Sequence, residues 1–113
     1  MRISTIHGSI DIPNVDARRP LPDDALGLAL ETLRTMPLNG MRYLSDDGGS
    51  GWYIWGGDEV RQTADFFTPV QARNLGDYVS NLEPFLDLPP GFRFQTDNRG
   101  HQKAWFDGSL LDV

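Results

Sequence analysis

The clearest pattern along the chain is alternation over short runs. Residues 41–45 (MRYLS) and 52–56 (WYIWG) are rich in aromatic and β-prone side chains, and the turn-forming stretch 46–51 (DDGGSG) separates them. That arrangement predicts a hairpin. Trp52 and Ile54 then share one side of the second strand, and Tyr53 and Trp55 the other, because successive side chains alternate across a strand. Both sides are apolar, which predicts a sheet covered on both faces or one with a face left for a partner. A second hairpin is expected near the C-terminal end, from 92–96 (FRFQT) and 103–107 (KAWFD) joined by DNRGHQ. Asn98 and Gly100 in that link tolerate positive φ. Phe92 and Phe94 share a side of their strand, and Ala104 and Phe106 are placed to pair with them.

Helical spacing occurs twice. Over residues 22–36, Leu26, Ala29, Leu30 and Leu33 fall at i, i+3, i+4 and i+7, which makes one apolar stripe. Pro22, Asp23 and Asp24 suit a helix N-terminus, Arg34 suits the C-terminal end, and Pro37 stops the helix, although Gly27 weakens it. The second helix is predicted from Thr68 as N-cap and Pro69 as first helical residue. Val70, Leu75, Tyr78, Val79 and Leu82 would pack inward, with a break plausible at Gly76. A short helix or turn follows over 83–88, ended by Pro89 and Pro90. At the other end, residues 3–12 (ISTIHGSIDI) alternate loosely, as one strand or a frayed hairpin, before the proline-held loop PNVDARRPLP. DEVRQTADFF (58–67) reads as a loop re-entering structure at Phe66 and Phe67. The order β, α, β, β, α, β, β gives an α+β class: a mainly antiparallel sheet built from hairpins, packed with two main helices.

Length changes this picture little: 113 residues are expected to form a single domain spanning 1–113. The absence of cysteine excludes a disulfide scaffold, a thiolate metal site and a Cys nucleophile. The N-terminus lacks a signal-peptide apolar core, and no run approaches the roughly 18 apolar residues of a membrane span. A soluble, cytoplasmic protein with no membrane association is expected. Charge is more informative. The net charge is −6 and Lys103 is the one lysine, which disfavours nucleic acid as a partner, since phosphate neutralisation needs clustered Lys and Arg. An acidic surface raises solubility and speeds encounter with basic partners.

Candidate chemistry is sparse. The glycines at 48–51 run into a strand rather than a helix N-terminus and have no nearby lysine, so they read as turn residues and not as a phosphate cradle. The pairs Asp46–Asp47 and Asp58–Glu59 flank one predicted strand and stand roughly 20 Å apart, too far to share a metal or a proton. His7 and His101 lie in different hairpins without metal-ligand spacing. Ser50 lies between glycines, but outside a nucleophile-elbow pattern. No enzyme signature, cofactor site or metal site is expected. Most aromatic residues belong to a core. Tyr53 and Trp55, on one strand side and just before Asp58–Glu59, are the best candidates for interface anchors. The expected partner-binding set is therefore Asp46, Asp47, Tyr53, Trp55, Asp58 and Glu59.

Two blocks sharpen this. SGWYIWGGDE (50–59) and LEPFLDLPPGFRF (82–94) resemble the S-G-W…G-D-E and P-x-L-D-x-P-x-G-x-x-F blocks of the immunity protein 33 family. The matching residues are Ser50, Gly51, Trp52, Gly57, Asp58, Glu59, Pro84, Leu86, Asp87, Pro89, Gly91 and Phe94, and the resemblance covers about residues 40–113. PPG departs slightly from the usual spacing after the aspartate. The resemblance implies a small cytoplasmic protein that neutralises a cognate toxin from a bacterial polymorphic-toxin system by binding it, with no catalytic residues. The expected partner is a protein, a basic toxin domain, and the chain itself a monomer or homodimer. The alternative is a small structural or regulatory domain that self-associates through its aromatic hairpin.

Overall fold

The computed structural model describes residues 18–44, 49–58, 66–97 and 99–111. Residues 3–12, the turn residues 45–48 and most of the 58–67 loop lie outside them. Six strands form one mixed sheet: β1 (Ala25–Leu28), β2 (Leu38–Arg42), β3 (Gly49–Gly56), β4 (Thr68–Gln71), β5 (Phe92–Thr96) and β6 (Gln102–Phe106). Their order is β4-β1-β3-β2-β5-β6. β1 runs parallel to β3, and the other neighbours are antiparallel.

Both expected hairpins are present, but the first is shifted: its leading strand is Leu38–Arg42 rather than 41–45, and its second strand already starts at Gly49, inside the stretch expected as turn. β2 pairs with β3 from Leu38↔Gly56 to Arg42↔Trp52. β5 pairs with β6 in the expected register, with Phe92 opposite Phe106 and Phe94 opposite Ala104. The two hairpins join through β2 and β5, so the chain's two most strongly alternating regions make the middle and one wing of the sheet.

The two main helices are corrected. Where the first was expected, β1 is followed by a 3-10 turn over Leu30–Thr32. Within β1 burial alternates, Leu26 and Leu28 being fully buried and Ala25 and Gly27 only partly so, and Leu30 of the expected stripe is exposed. Gly27 is the physical reason. A Cβ there would stand 2.7 Å from Tyr53 Cδ1, so its missing side chain lets the Tyr53 ring lie across β1. Where the second helix was expected, Thr68–Gln71 is β4 and Ala72–Asp77 a 3-10 helix. Pro69, read as a first helical residue, sits instead on an edge strand, where a missing N–H is tolerated. Tyr78 is exposed rather than inward. Among the described residues the one α-helical turn is α1 (Glu83–Leu86).

The core lies on one face of the sheet. Leu26, Leu28, Ile54, Trp52, Leu38, Phe92, Phe94 and Val70 meet Leu75, Leu82, Phe85 and Leu88 from the segments that cross over them. Phe94 is its centre. Its ring stacks on Phe85 at 4.7 Å and contacts Trp52 at 5.4 Å. Gly40 makes room for it, since a Cβ there would meet Phe94 Cε2 at 2.1 Å. Truncating a fully buried phenylalanine costs about 3–5 kcal/mol.

Candidate functional site

The two sequence blocks meet around a buried cation. Arg42, at the end of β2, is 5% exposed. Its Nε donates to the Ser50 carbonyl at 2.9 Å, and its Nη1 to the carbonyls of Arg18 at 2.5 Å and Leu88 at 2.7 Å, with Leu86 at 3.3 Å. The guanidinium also stands 5.6 Å from the Trp52 ring. Trp52 Nε1 donates to the same Leu86 carbonyl at 3.1 Å, and Gly91 N–H donates to the Arg42 carbonyl at 2.8 Å. Burial pulls the Arg42 pKa down to about 10, and the nearby Arg18 charge acts in the same direction, while Asp24 and Asp87 oppose it.

The serine and glycine before Trp52 form a bulge. Two residue steps along β1 (Ala25 to Gly27) span four along β3 (Gly49 to Tyr53). Gly51 absorbs the irregularity at φ +86, with Tyr43 O only 2.1 Å from where a Cβ would stand. Ser50 Oγ donates to the Ala25 carbonyl at 2.8 Å and accepts from Trp52 N–H at 3.1 Å. The buried Ser50 hydroxyl is therefore a splint for the bulge. Asp87 fastens the outside of the same junction. Its carbonyl accepts from Arg18 N–H, and its carboxylate takes Arg19 through two 3.2 Å bonds. These blocks are thus an architectural knot that ties β2, β3 and the α1–β5 turn together.

The other face of the sheet is exposed in part, at Tyr53, Trp105 and Lys103, while Trp55 and Asn39 on it are buried. One register row across it runs Gly27, Tyr53, Met41, Arg93, Trp105. The next runs Trp55, Asn39, Gln95, Lys103. Tyr53 is the hub of an aromatic strip, edge-on to Tyr43 at 5.6 Å and to Phe67 at 5.0 Å, with Phe66 edge-on to Phe67 at 4.9 Å. Toward β6 the strip becomes cationic. Arg93 and Lys103 stand 5.8 and 5.0 Å from the Trp105 ring. The second row is polar: His101 Nε2 and Gln95 Oε1 are 2.8 Å apart, Gln95 Nε2 donates to Asn39 Oδ1 at 3.0 Å, and Asn39 Nδ2 donates to the Gly57 carbonyl at 2.7 Å.

The expected partner-binding residues fall unevenly on this surface. Tyr53 is 36% exposed and Trp55 only 5%. They share a face, yet Tyr53 offers surface and Trp55 is buried. Trp55 Nε1 is buried without a hydrogen-bond partner among the described residues. Asp58 is exposed at the exit of β3. Asp46, Asp47 and Glu59 lie outside the described residues. Sequence reasoning passed over Met41, Tyr43, Arg93 and Trp105 as members of this face. The alternation in FRFQT and KAWFD carried the signal, because residues between the core phenylalanines must point the other way.

A match with the family model described as Imm33-like domain covers residues 10–107. The chain belongs to the Imm33-like domain family. The match starts well before residue 40, so most of the N-terminal segment that the block resemblance left out is family sequence too. No curated protein and no solved structure matches the chain significantly. Among the described residues no group of three or more His, Cys, Asp or Glu could hold a metal ion, and no helix is long and apolar enough to cross a membrane.

Proposed function

We propose that the chain is an immunity-type protein that neutralises a cognate bacterial toxin by direct protein–protein binding, with the open sheet face as its docking surface. The observation that carries this reading is the Tyr53 strip. It is an accessible aromatic cluster on the face opposite the core, in a chain of the Imm33-like family. Tyrosine is among the residues that dominate binding energy at interfaces, because it joins a large apolar area to a polar tip.

In this reading Tyr53 is the anchor and Trp55 the rigid floor beside it. Asp46, Asp47, Asp58 and Glu59 steer a basic toxin domain toward the strip, and occlusion of the toxin's active-site cleft blocks its substrate. The test is co-expression with candidate toxin domains drawn from the genes neighbouring this one, read by growth rescue and by affinity of the purified pair. Y53A is expected to abolish rescue and weaken binding by about thirtyfold or more, the effect of a hot-spot residue. A Y53A protein that folds normally and binds as tightly as wild type removes the open face from the interface.

A further inference from the structure

The strand β6 ends the sheet, and no described strand pairs with its outer side. Edge strands expose unpaired backbone groups that template pairing with another chain unless proline, bulges or projecting charges blunt them. β6 has no proline and no bulge, and pairs with β5 residue for residue from Gln102 to Phe106. Trp105 and Phe106 are 37% and 56% exposed on its two sides. Its one guarding charge is Lys103, and that ammonium lies over the Trp105 ring rather than projecting freely along the edge.

The flanking hydrogen bonds fix which backbone groups face outward. Asp107 N–H donates to the Gly91 carbonyl, and Asp97 N–H donates to the His101 carbonyl. Residues 101 and 107 therefore direct their backbone groups at β5, and so do 103 and 105 between them, since direction alternates along an antiparallel strand. Gln102, Ala104 and Phe106 direct theirs outward, presenting three N–H and three C=O groups with an obligation to be paired.

We propose that this edge pairs with a second copy of the chain, β6 antiparallel to β6 about a two-fold axis through Ala104. That register joins all the outward groups: Ala104 meets its symmetry mate, and Gln102 and Phe106 meet each other twice. It is the isologous contact expected of a two-fold dimer. The side chains of the open face are self-complementary in the same register. Lys103 falls opposite the mate's Trp105, continuing a cation–π contact already made within one chain. His101 falls opposite the mate's Asp107. On the core side the small Ala104 lets the strands approach at the axis. The two sheets become one continuous sheet, and both Tyr53 strips stay uncovered, so this inference is independent of toxin binding.

The test uses the full chain at rising concentration in sedimentation equilibrium. The mass is expected to climb from the monomer's 12.7 kDa toward twice that value. Q102P removes an outward N–H while leaving the β5 ladder intact, and is expected to weaken self-association by about tenfold or more with an unchanged circular dichroism spectrum. Because the chain has no cysteine, K103C and W105C supply single thiols that face each other only across the proposed axis. Mixing the two under mild oxidation should give a disulfide-linked heterodimer in preference to either homodimer. A mass that stays at that of the monomer up to millimolar concentration overturns the proposal. So does a folded Q102P that associates like wild type, or cross-linking without preference for the mixed pair; if Q102P fails to fold, the cross-linking decides.

Discussion

At the scale of single residues, Arg42 and Gly51 show how a sequence signature can be structural. Arg42 has no ion-pair partner among the described residues, and its bonds go to main-chain carbonyls on three segments. Removing it leaves those buried acceptors unsatisfied, which is more costly than the loss of the bonds themselves. R42A is expected to lose on the order of 3 kcal/mol, seen as a melting midpoint lower by about 10 °C or more. R42K keeps the charge but not the planar fork, and should fall between. Gly51 is tested differently. Alanine at its positive φ is strained in backbone as well as crowded by Tyr43 O, so G51A is expected to cost about 1–3 kcal/mol in denaturant unfolding. A G51A protein as stable as wild type means that the bulge is not held by Gly51. The serine of the same block offers no such anomaly: its hydroxyl both donates and accepts within the fold.

At the scale of elements, what could be read from sequence was what the chain pairs locally. The β2–β3 and β5–β6 hairpins were legible because each strand's partner follows after a short turn; alternation placed Phe92 and Phe94 against Phe106 and Ala104, but it did not set the register of β2, which pairs Arg42 rather than residue 45 with Trp52. β1 and β4 were not legible. β1 is paired on one side with β3, which follows β2, and on the other with β4, so no local turn announces it. Its four residues are also too few to separate a period of two from 3.6, and the helix signals around them were real chemistry put to other use. Asp24, read as a helix N-terminal residue, accepts Leu21 N–H in a turn. The same limit affected the candidate site: alternation put Tyr53 and Trp55 on one face, but burial of Trp55 depends on what lies above it. The β5–β6 hairpin carries its own pH dependence. The Asp97 pKa is lowered first by the Arg99 backbone N–H, then by His101, and the Asp107 pKa first by the Ser109 hydroxyl, then by Arg93. A depressed carboxylate contributes stability that is present above its unfolded pKa, about 3.9, and is lost as pH falls through its folded pKa. D97N and D107N are therefore expected to flatten the acid limb of stability below about pH 4 while changing little of its slope at neutral pH. An acid limb identical to wild type in the double variant would place the acid sensitivity elsewhere.

At the scale of the whole molecule, charge and the proposed docking face are not distributed together. The net charge is −6, yet among the described residues no carboxylate occupies a strand position on the open face, whose β5–β6 side carries Arg93 and Lys103. Asp58 stands at the end of β3, off the strip. A basic toxin approaching Tyr53 would thus be drawn by the rim and the overall field, and repelled locally by the β6 side. This sets opposite signs for two charge reversals that leave the fold alone. D58K should slow association at low salt and K103E should speed it, each by about fivefold at most for a single exposed charge. Both effects should fade in 1 M salt, where the screening length is about 3 Å. Dissociation rates should change little, since rim charges act mainly on encounter. If instead K103E slows association and D58K speeds it, the partner surface is acidic, and the cationic side of the open face, rather than the carboxylates at the strand ends, directs the encounter.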